Sequence, residues 1–267
     1  QTSDVFVLDT VNGRLVQVLP PTPGGEALPQ VDLASDDPKK NVEYAADLVF
    51  ANDAFYVLDG MGRKVVKLDT EGNWLETFMI ANPKIRLGGS ATLLVLANDD
   101  IRIRQAGVID LPIDPSAARG SASDDTTLST TTEGGVVSSK SVWGQSDGTV
   151  QLALTSPGDG TGRAISQTID IKGKDALASV ELIGIDGRGR YYVLATELGE
   201  GNEIRTYLAR YSATGKLEDV AHVPVNDVVY LPNRFLALDN KGTAYFLQPL
   251  STEVLIVELA FEPRSDL

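Results

Sequence analysis

A chain of 267 residues, 42% hydrophobic and 22% charged, is long and apolar enough to bury a real core, which excludes wholesale disorder. Its formal net charge of −14 argues against nucleic acid and against adsorption to an anionic membrane, while admitting cationic partners, Ca²⁺ or plain solubility. With no cysteine and one histidine, disulfides, thiol nucleophiles, thiolate zinc sites and histidine-rich metal centres are excluded together.

No stretch approaches the ~18 apolar residues of a membrane span, so no direct membrane insertion is expected. The chain opens without a basic-then-apolar leader. The absence of cysteine and of any Asn-x-Ser/Thr acceptor points to a bacterial source.

In chain order, Val5–Val18 reads as two short strands around a turn. Its first residues already match the second strand of the fuller pattern that follows. That pattern, from Asp47 to Phe78, reads as four strands, Asp47–Ala51, Ala54–Leu58, Lys64–Leu68 and Trp74–Phe78. The turns between them hold Asn, Asp and Gly, which tolerate tight or left-handed backbone, and the strands hold β-branched and aromatic residues.

Weaker copies follow at Thr92–Arg104, Val136–Ile171, Leu182–Leu217 and Phe235–Leu259. Taking Leu8, Leu58, Leu96, Leu154, Leu194 and Leu247 as the ends of second strands, the copies recur every ~40–60 residues, a four-stranded blade plus insertions. The expected fold class is therefore all-β, a six-bladed β-propeller of four-stranded antiparallel blades forming one domain over residues 1–267. Insertions fall at about 20–44 and 112–135. Ring closure is expected to use residues after Glu253.

The motif residues Tyr56-Val57-Leu58-Asp59, Arg63 and Asp69-Thr70-Glu71-Gly72, with Val7-Leu8-Asp9 and Arg14, resemble the NHL and SMP-30-like propeller superfamily. Asp186-Gly-Arg-Gly and Asp239-Asn-Lys-Gly keep part of the pattern. The resemblance implies a propeller. For its lactonase members it also implies a divalent ion held at the central tunnel by Glu, Asn and Asp from separate blades. No residues here match that ion site position by position.

Propeller geometry puts connections between second and third strands on the same face as those between successive blades. Pro20–Tyr44 and Pro112–Gly135 read as blade-to-blade connections, and Pro157–Gly162 and Thr196–Glu203 as connections from second to third strand. All four would project from one face, where binding usually resides. Candidate binding residues are Asp9, Arg14, Asp36, Lys39, Asp59, Arg63, Asp159 and Glu197; no catalytic or metal-ligating residue is assigned. Asp9–Arg14 and Asp59–Arg63 read first as fasteners of a blade. His222, placed near the end of an outer strand, reads as a surface or packing residue.

The sequence thus points to a non-catalytic binding or structural module, extracellular, periplasmic or on the cell surface, within a larger protein or assembly. Its partner would be a protein or a second copy docking on the long-loop face. No cofactor is expected, with Ca²⁺ as the one admissible ion. The alternative is a gluconolactonase-like, divalent-metal-dependent hydrolase using the central tunnel.

Overall fold

The structure, a computed structural model, describes residues 5–18, 30–37, 40–88, 91–96, 99–105, 109–117, 127–130, 136–139, 142–143, 148–156, 165–232 and 234–263. The chain forms two compact units, Gln1–Ser121 and Ala122–Leu267. Among the described residues each carries three antiparallel sheets, and none of these residues lies in an α-helix.

In the first unit, β1 (Val5–Asp9), β2 (Arg14–Val18) and β3 (Gln30–Asp32) form one sheet, and β4 (Ala45–Ala51), β5 (Ala54–Asp59), β6 (Lys64–Leu68) and β7 (Trp74–Met79) a second. The third contains β8 (Thr92–Val95), β9 (Ile101–Gln105) and β10 (Ile109–Pro112). All three are meanders, each strand pairing antiparallel with the next.

In the second unit, β11 (Thr127–Thr130), β12 (Val136–Ser139), β14 (Thr149–Ser156) and β15 (Ile165–Lys172) make one sheet. Next comes a sheet of β13 (Val142–Trp143), β16 (Ala176–Ile185), β17 (Tyr191–Leu198), β18 (Ile204–Tyr211) and β19 (Leu217–His222). The last holds β20 (Leu236–Leu238), β21 (Ala244–Pro249) and β22 (Val254–Glu258).

The Asp47–Phe78 repeat falls on β4–β7 with ends within two residues of those expected. The insertions are less empty than the sequence suggests. The 20–44 stretch contains β3, which pairs with β2, so the sheet is completed inside what reads as a blade-to-blade connection. The 112–135 stretch likewise contains a short 3₁₀ turn at Pro115–Ala117 and β11. Strands of three or four mostly polar residues with a single apolar one, such as Gln30–Asp32 and Thr127–Thr130, have too short an alternation to stand out. Thr92–Leu96 is also shifted in role: β8 is the first strand of its sheet, not the second, and packs beside β4. Thr196–Leu198 of the expected Thr196–Glu203 connection belongs to β17, leaving Gly199–Glu203 as the turn. Pro157–Gly162 lies outside the described residues.

The Asp-x-x-Gly motif has one physical basis at three sites. Asp69, Asp186 and Asp239 each turn an Oδ1 back to accept two backbone N–H bonds, from Glu71 and Asn73, Arg188 and Arg190, and Lys241 and Thr243, at 2.8–3.0 Å. The chain then reverses through a left-handed glycine, for instance Gly72 at φ +86° and Gly242 at φ +89°, a conformation that favours glycine. The shorter β4–β5 hairpin uses Asn52 and Asp53, both at positive φ, the two-residue turn whose twist suits antiparallel strands.

The core lies between consecutive sheets of each unit. Every residue of β5 is buried, and alternate side chains point to opposite faces. Ala54, Tyr56 and Leu58 join Leu93, Val95, Ile101 and Ile103 of the third sheet, while Phe55 and Val57 join Leu15 of the first. β17 does the same in the second unit: Val193 and Ala195 pack with Leu152 and Ile169, and Tyr192 with Phe246. Burial on both faces explains why these strands read as continuous apolar runs rather than alternating ones.

After β22 the chain crosses back. Leu259 N–H donates to Ala244 O (2.9 Å), and Glu262 exchanges backbone bonds with Val220 of β19 at 2.8 and 3.0 Å. The residues following Glu253 thus pair with β21 and then with β19.

Candidate functional site

Four of the candidate residues sit at hairpin ends of the first unit, but as separate fastenings. Asp9 Oδ2 accepts from Arg14 Nε (2.9 Å) and Asn12 Nδ2 (2.7 Å), and Arg14 reaches on to Gln30 Oε1 (2.8 Å). Partial burial pushes the Asp9 carboxyl up, but Asn12 and Arg14 outweigh it and hold it below the usual range. Asp59 is fully buried and accepts N–H bonds from Glu43, Tyr44, Met61 and Gly62 at 2.9–3.2 Å. Its cation is Lys64 at 3.7 Å, whose Nζ also donates to Asn41 O (2.6 Å).

Arg63 therefore does not repeat the part of Arg14. Asp9 faces Arg14 across β1–β2, and Asp59 faces Lys64 across β5–β6. Arg63 falls in the turn at φ +49°, where the first hairpin has Gly13 at φ +61°, and directs its guanidinium to Ile85 O (3.4 Å). The spacing in the sequence carries this signal: Arg14 follows Asp9 by five positions, and Lys64 follows Asp59 by the same five.

Asp36 is exposed on the connection between β3 and β4. Glu197 is buried, with Oε1 accepting from Lys174 N–H (3.0 Å). Lys39 and Asp159 lie outside the described residues. Asp59 and Glu197 are thus consumed as internal acceptors. His222 ends β19 with its side chain exposed.

Two polar clusters that sequence reasoning missed join neighbouring sheets. In the first unit Asp99, in the β8–β9 turn, accepts from Tyr56 Oη, from Lys67 Nζ (2.7 Å) and from Asn52 Nδ2 (3.1 Å). Burial pushes the Asp99 carboxyl up, yet Lys67, Tyr56 and Asn52 hold it below the ordinary value. In the second unit Tyr192 Oη lies 3.1 Å from both Asp186 Oδ2 and Gly242 O, and Arg190 Nε donates to Asp186 Oδ2 (2.7 Å). Burial, chiefly, drives the Tyr192 hydroxyl up to about 12. The register shows the kinship: Tyr56 lies opposite Lys67, and Tyr192 opposite Arg210. These are sheet-to-sheet clasps, closed to solvent at the tyrosines.

Among the described residues, no three His, Asp or Glu side chains converge to hold a metal. A cleft of about 270 Å³ in the second unit is lined by Thr168, Asp170, Lys172, Tyr211, Gly215 and Leu217. Its carboxylate, Asp170, accepts from Gln151 Nε2 (3.0 Å) on the neighbouring strand.

The most distinctive accessible surface is apolar. In the second unit Val229, Tyr230 and Leu231 stand 66%, 62% and 44% exposed on the connection from β19 to β20. Asn226 Nδ2 donates to Ile204 O (3.0 Å) and Val229 N–H to Pro249 O (3.0 Å), which tie this connection to the β17–β18 and β21–β22 hairpins. Those hairpins add exposed Leu198, Ile204 and Val254 to the same rim. The hairpin end of the first unit also exposes Val11, Tyr44 and Met61.

No protein-family profile and no curated protein matches the chain. Among solved structures, a member of the DUF4221 family from Bacteroides vulgatus aligns over 98% of this chain and 89% of its own, with a TM-score of 0.55 at 9% identity. A functionally unknown protein from Desulfotomaculum acetoxidans aligns over 97% and 81%, with a TM-score of 0.47 at 11% identity. A virginiamycin B lyase from Staphylococcus aureus aligns over 97% and 80%, with a TM-score of 0.41 at 11% identity. At such identities a likeness concerns the fold alone. The chain is all-β, a succession of antiparallel sheets.

Proposed function

We propose that the chain is a binding or structural module without catalysis of its own, a single six-bladed propeller of the NHL type in which each sheet is one blade. The observation that carries this reading is the apolar rim of Leu198, Ile204, Val229, Tyr230, Leu231 and Val254. These exposed side chains lie on three connections that the Asn226–Ile204 and Val229–Pro249 hydrogen bonds tie together, and exposed apolar groups gathered in this way mark an interaction surface. The use of Asp59 and Glu197 as buried backbone acceptors supports it too, because those carboxylates are then withdrawn from substrate chemistry.

The partner in this reading is a protein, or a second copy of the chain, met on the hairpin end. The acidic surface disfavours nucleic acid and anionic membranes. The setting proposed is extracellular, periplasmic or on the surface of a bacterial cell, as part of a larger assembly, with no cofactor beyond an optional Ca²⁺. The test compares wild type with a Val229→Ser, Tyr230→Ser, Leu231→Ser variant in affinity capture from an envelope fraction and in sedimentation. Loss of a stoichiometric partner or of self-association, with unchanged circular dichroism, is expected; identical behaviour of the two proteins would refute the reading. Melting curves with Ca²⁺ and with chelator address the hydrolase class, and a stabilisation of several degrees by the ion would favour that class instead.

A further inference from the structure

The β20–β22 sheet stops one strand short of the four-stranded β4–β7 sheet. Among the described residues β22 pairs with β21 alone, and its other side is a sheet edge. The hydrogen-bond alternation says which groups face outward. Leu250 N–H donates to Glu253 O (2.8 Å) and Leu259 N–H to Ala244 O (2.9 Å), so the odd-numbered residues of this stretch turn their backbone groups towards β21. The N–H and C=O groups of Val254, Ile256 and Glu258 therefore point away from it.

Pro249 agrees with this phase. It lies opposite Val254, has no N–H to give to β22, and offers its carbonyl to Val229 on the other side. The edge is apolar as well as open: Val254 is 53% and Leu255 38% exposed. Unprotected apolar edges of this kind recruit added strands.

The two ends of the edge differ in chemistry. At the Val254 end lies the Val229–Leu231 cluster, joined through Pro249. At the other end exposed Glu258 lies opposite Tyr245. The Tyr245 hydroxyl is pushed up first by burial and then by Asp239 and Glu258, which marks that end as negative. Antiparallel self-pairing of two β22 strands about Ile256 would set Glu258 of each copy opposite the apolar Val254 of the other, which disfavours a second copy as occupant.

We propose that the outer edge of β22 accepts an extended segment of a partner protein as an added antiparallel strand, with a Lys or Arg at its N-terminal end over Glu258 and apolar residues at its C-terminal end over Val229–Leu231. The antiparallel direction follows from its stronger pairing and sets the polarity of the segment. The inference rests on the binding-module reading and names its partner chemistry. The two fail separately: a partner captured equally by wild type and by Ile256→Pro would remove the edge and leave the module.

The probe is a synthetic peptide, Lys-Lys-Val-Thr-Val-Thr-Val-Phe, titrated into the full chain by fluorescence anisotropy and by backbone NMR. The expected result is saturable binding with shifts centred on Val254–Glu258. Weakening of about tenfold or more is expected when the lysines become glutamates, when the order is reversed, or for Glu258→Lys. Alternate N-methylation of the peptide should abolish binding without touching the protein, so a poorly folded Ile256→Pro variant would not leave the matter open. Equal binding of the glutamate peptide, binding that survives N-methylation, or no binding at all would overturn the proposal. So would a concentration-dependent dimer that Ile256→Pro makes monomeric.

Discussion

Replacing Gly242 with Ala tests the clasp that joins the β16–β19 sheet to the β20–β22 sheet. Gly242 sits at φ +89°, where a side chain costs roughly 1–2 kcal/mol on its own. Its Cβ would also stand 2.6 Å from Asp186 Oδ2 and 2.5 Å from Arg190 Nη2, and closer still to Tyr192 Oη. All three belong to one hydrogen-bonded group, and Tyr192 is fully buried, so the ring has nowhere to retreat. Losing buried, charge-assisted bonds adds about 2–3 kcal/mol, for a total near 3–5 kcal/mol. Gly201 supplies the control: its φ is +71° and nothing lies within 4 Å, so Gly201→Ala should cost only about 1 kcal/mol. Urea titration reads the difference, and in a chain of this size melting should fall by roughly 6–15 °C for Gly242→Ala. Equal losses for the two variants would refute the claim that the clasp is tightly packed.

Asp99→Ala removes the acceptor shared by Tyr56, Lys67 and Asn52 and should cost about 2–4 kcal/mol, whereas Asp9→Ala, at a more exposed pair, should cost about 1 kcal/mol or less; denaturant titration compares them. Acid should unfold the chain through the same clasps. Burial raises Asp186, but bonds from Arg190, Arg188 and Tyr192 outweigh it, and Asp99 is likewise held low. A depressed carboxyl contributes stability that is fully present above its unfolded value near ~3.9 and is lost as pH falls below it. Stability measured from pH 6 down to pH 2.5 should therefore drop below about pH 4, with a shallower drop in Asp186→Asn. Arg63→Gly should be neutral or stabilising by up to about 1 kcal/mol, because the residue occupies a left-handed turn position and makes one long hydrogen bond; a loss beyond that in thermal melts would give Arg63 a larger part.

The repeat was legible where local chemistry and tertiary pattern coincide. At β4–β7 the turns carry Asn-Asp and Asp-x-x-Gly, and the strands between them are rich in β-branched and aromatic residues, so both ends of each element are marked. At β3 and β11 neither mark is present, and pairing with a neighbour creates the strand. The clasps were illegible for a different reason. Tyr56 lies 43 residues from Asp99 and Tyr192 50 from Gly242, and no local pattern announces partners that only sheet stacking brings together. Arg63 was misread by one register position, which in a hairpin is the difference between a strand and its turn.

Because alternate residues of β5 and of β17 belong to different cores, each of these strands is a wall shared by two rooms. Nothing on one side can be loosened without disturbing the other, so the middle sheet of each unit has no independent way to open. The amides of β5 and β17 should exchange with solvent only when the whole unit opens, while β3, β10 and β22, outermost in their sheets among the described residues, exchange through smaller fluctuations. Sequence change is constrained in the same order. Drift accumulates most easily in the outer sheets, which would leave the β4–β7 repeat as the part of the chain in which an ancestral unit is still readable.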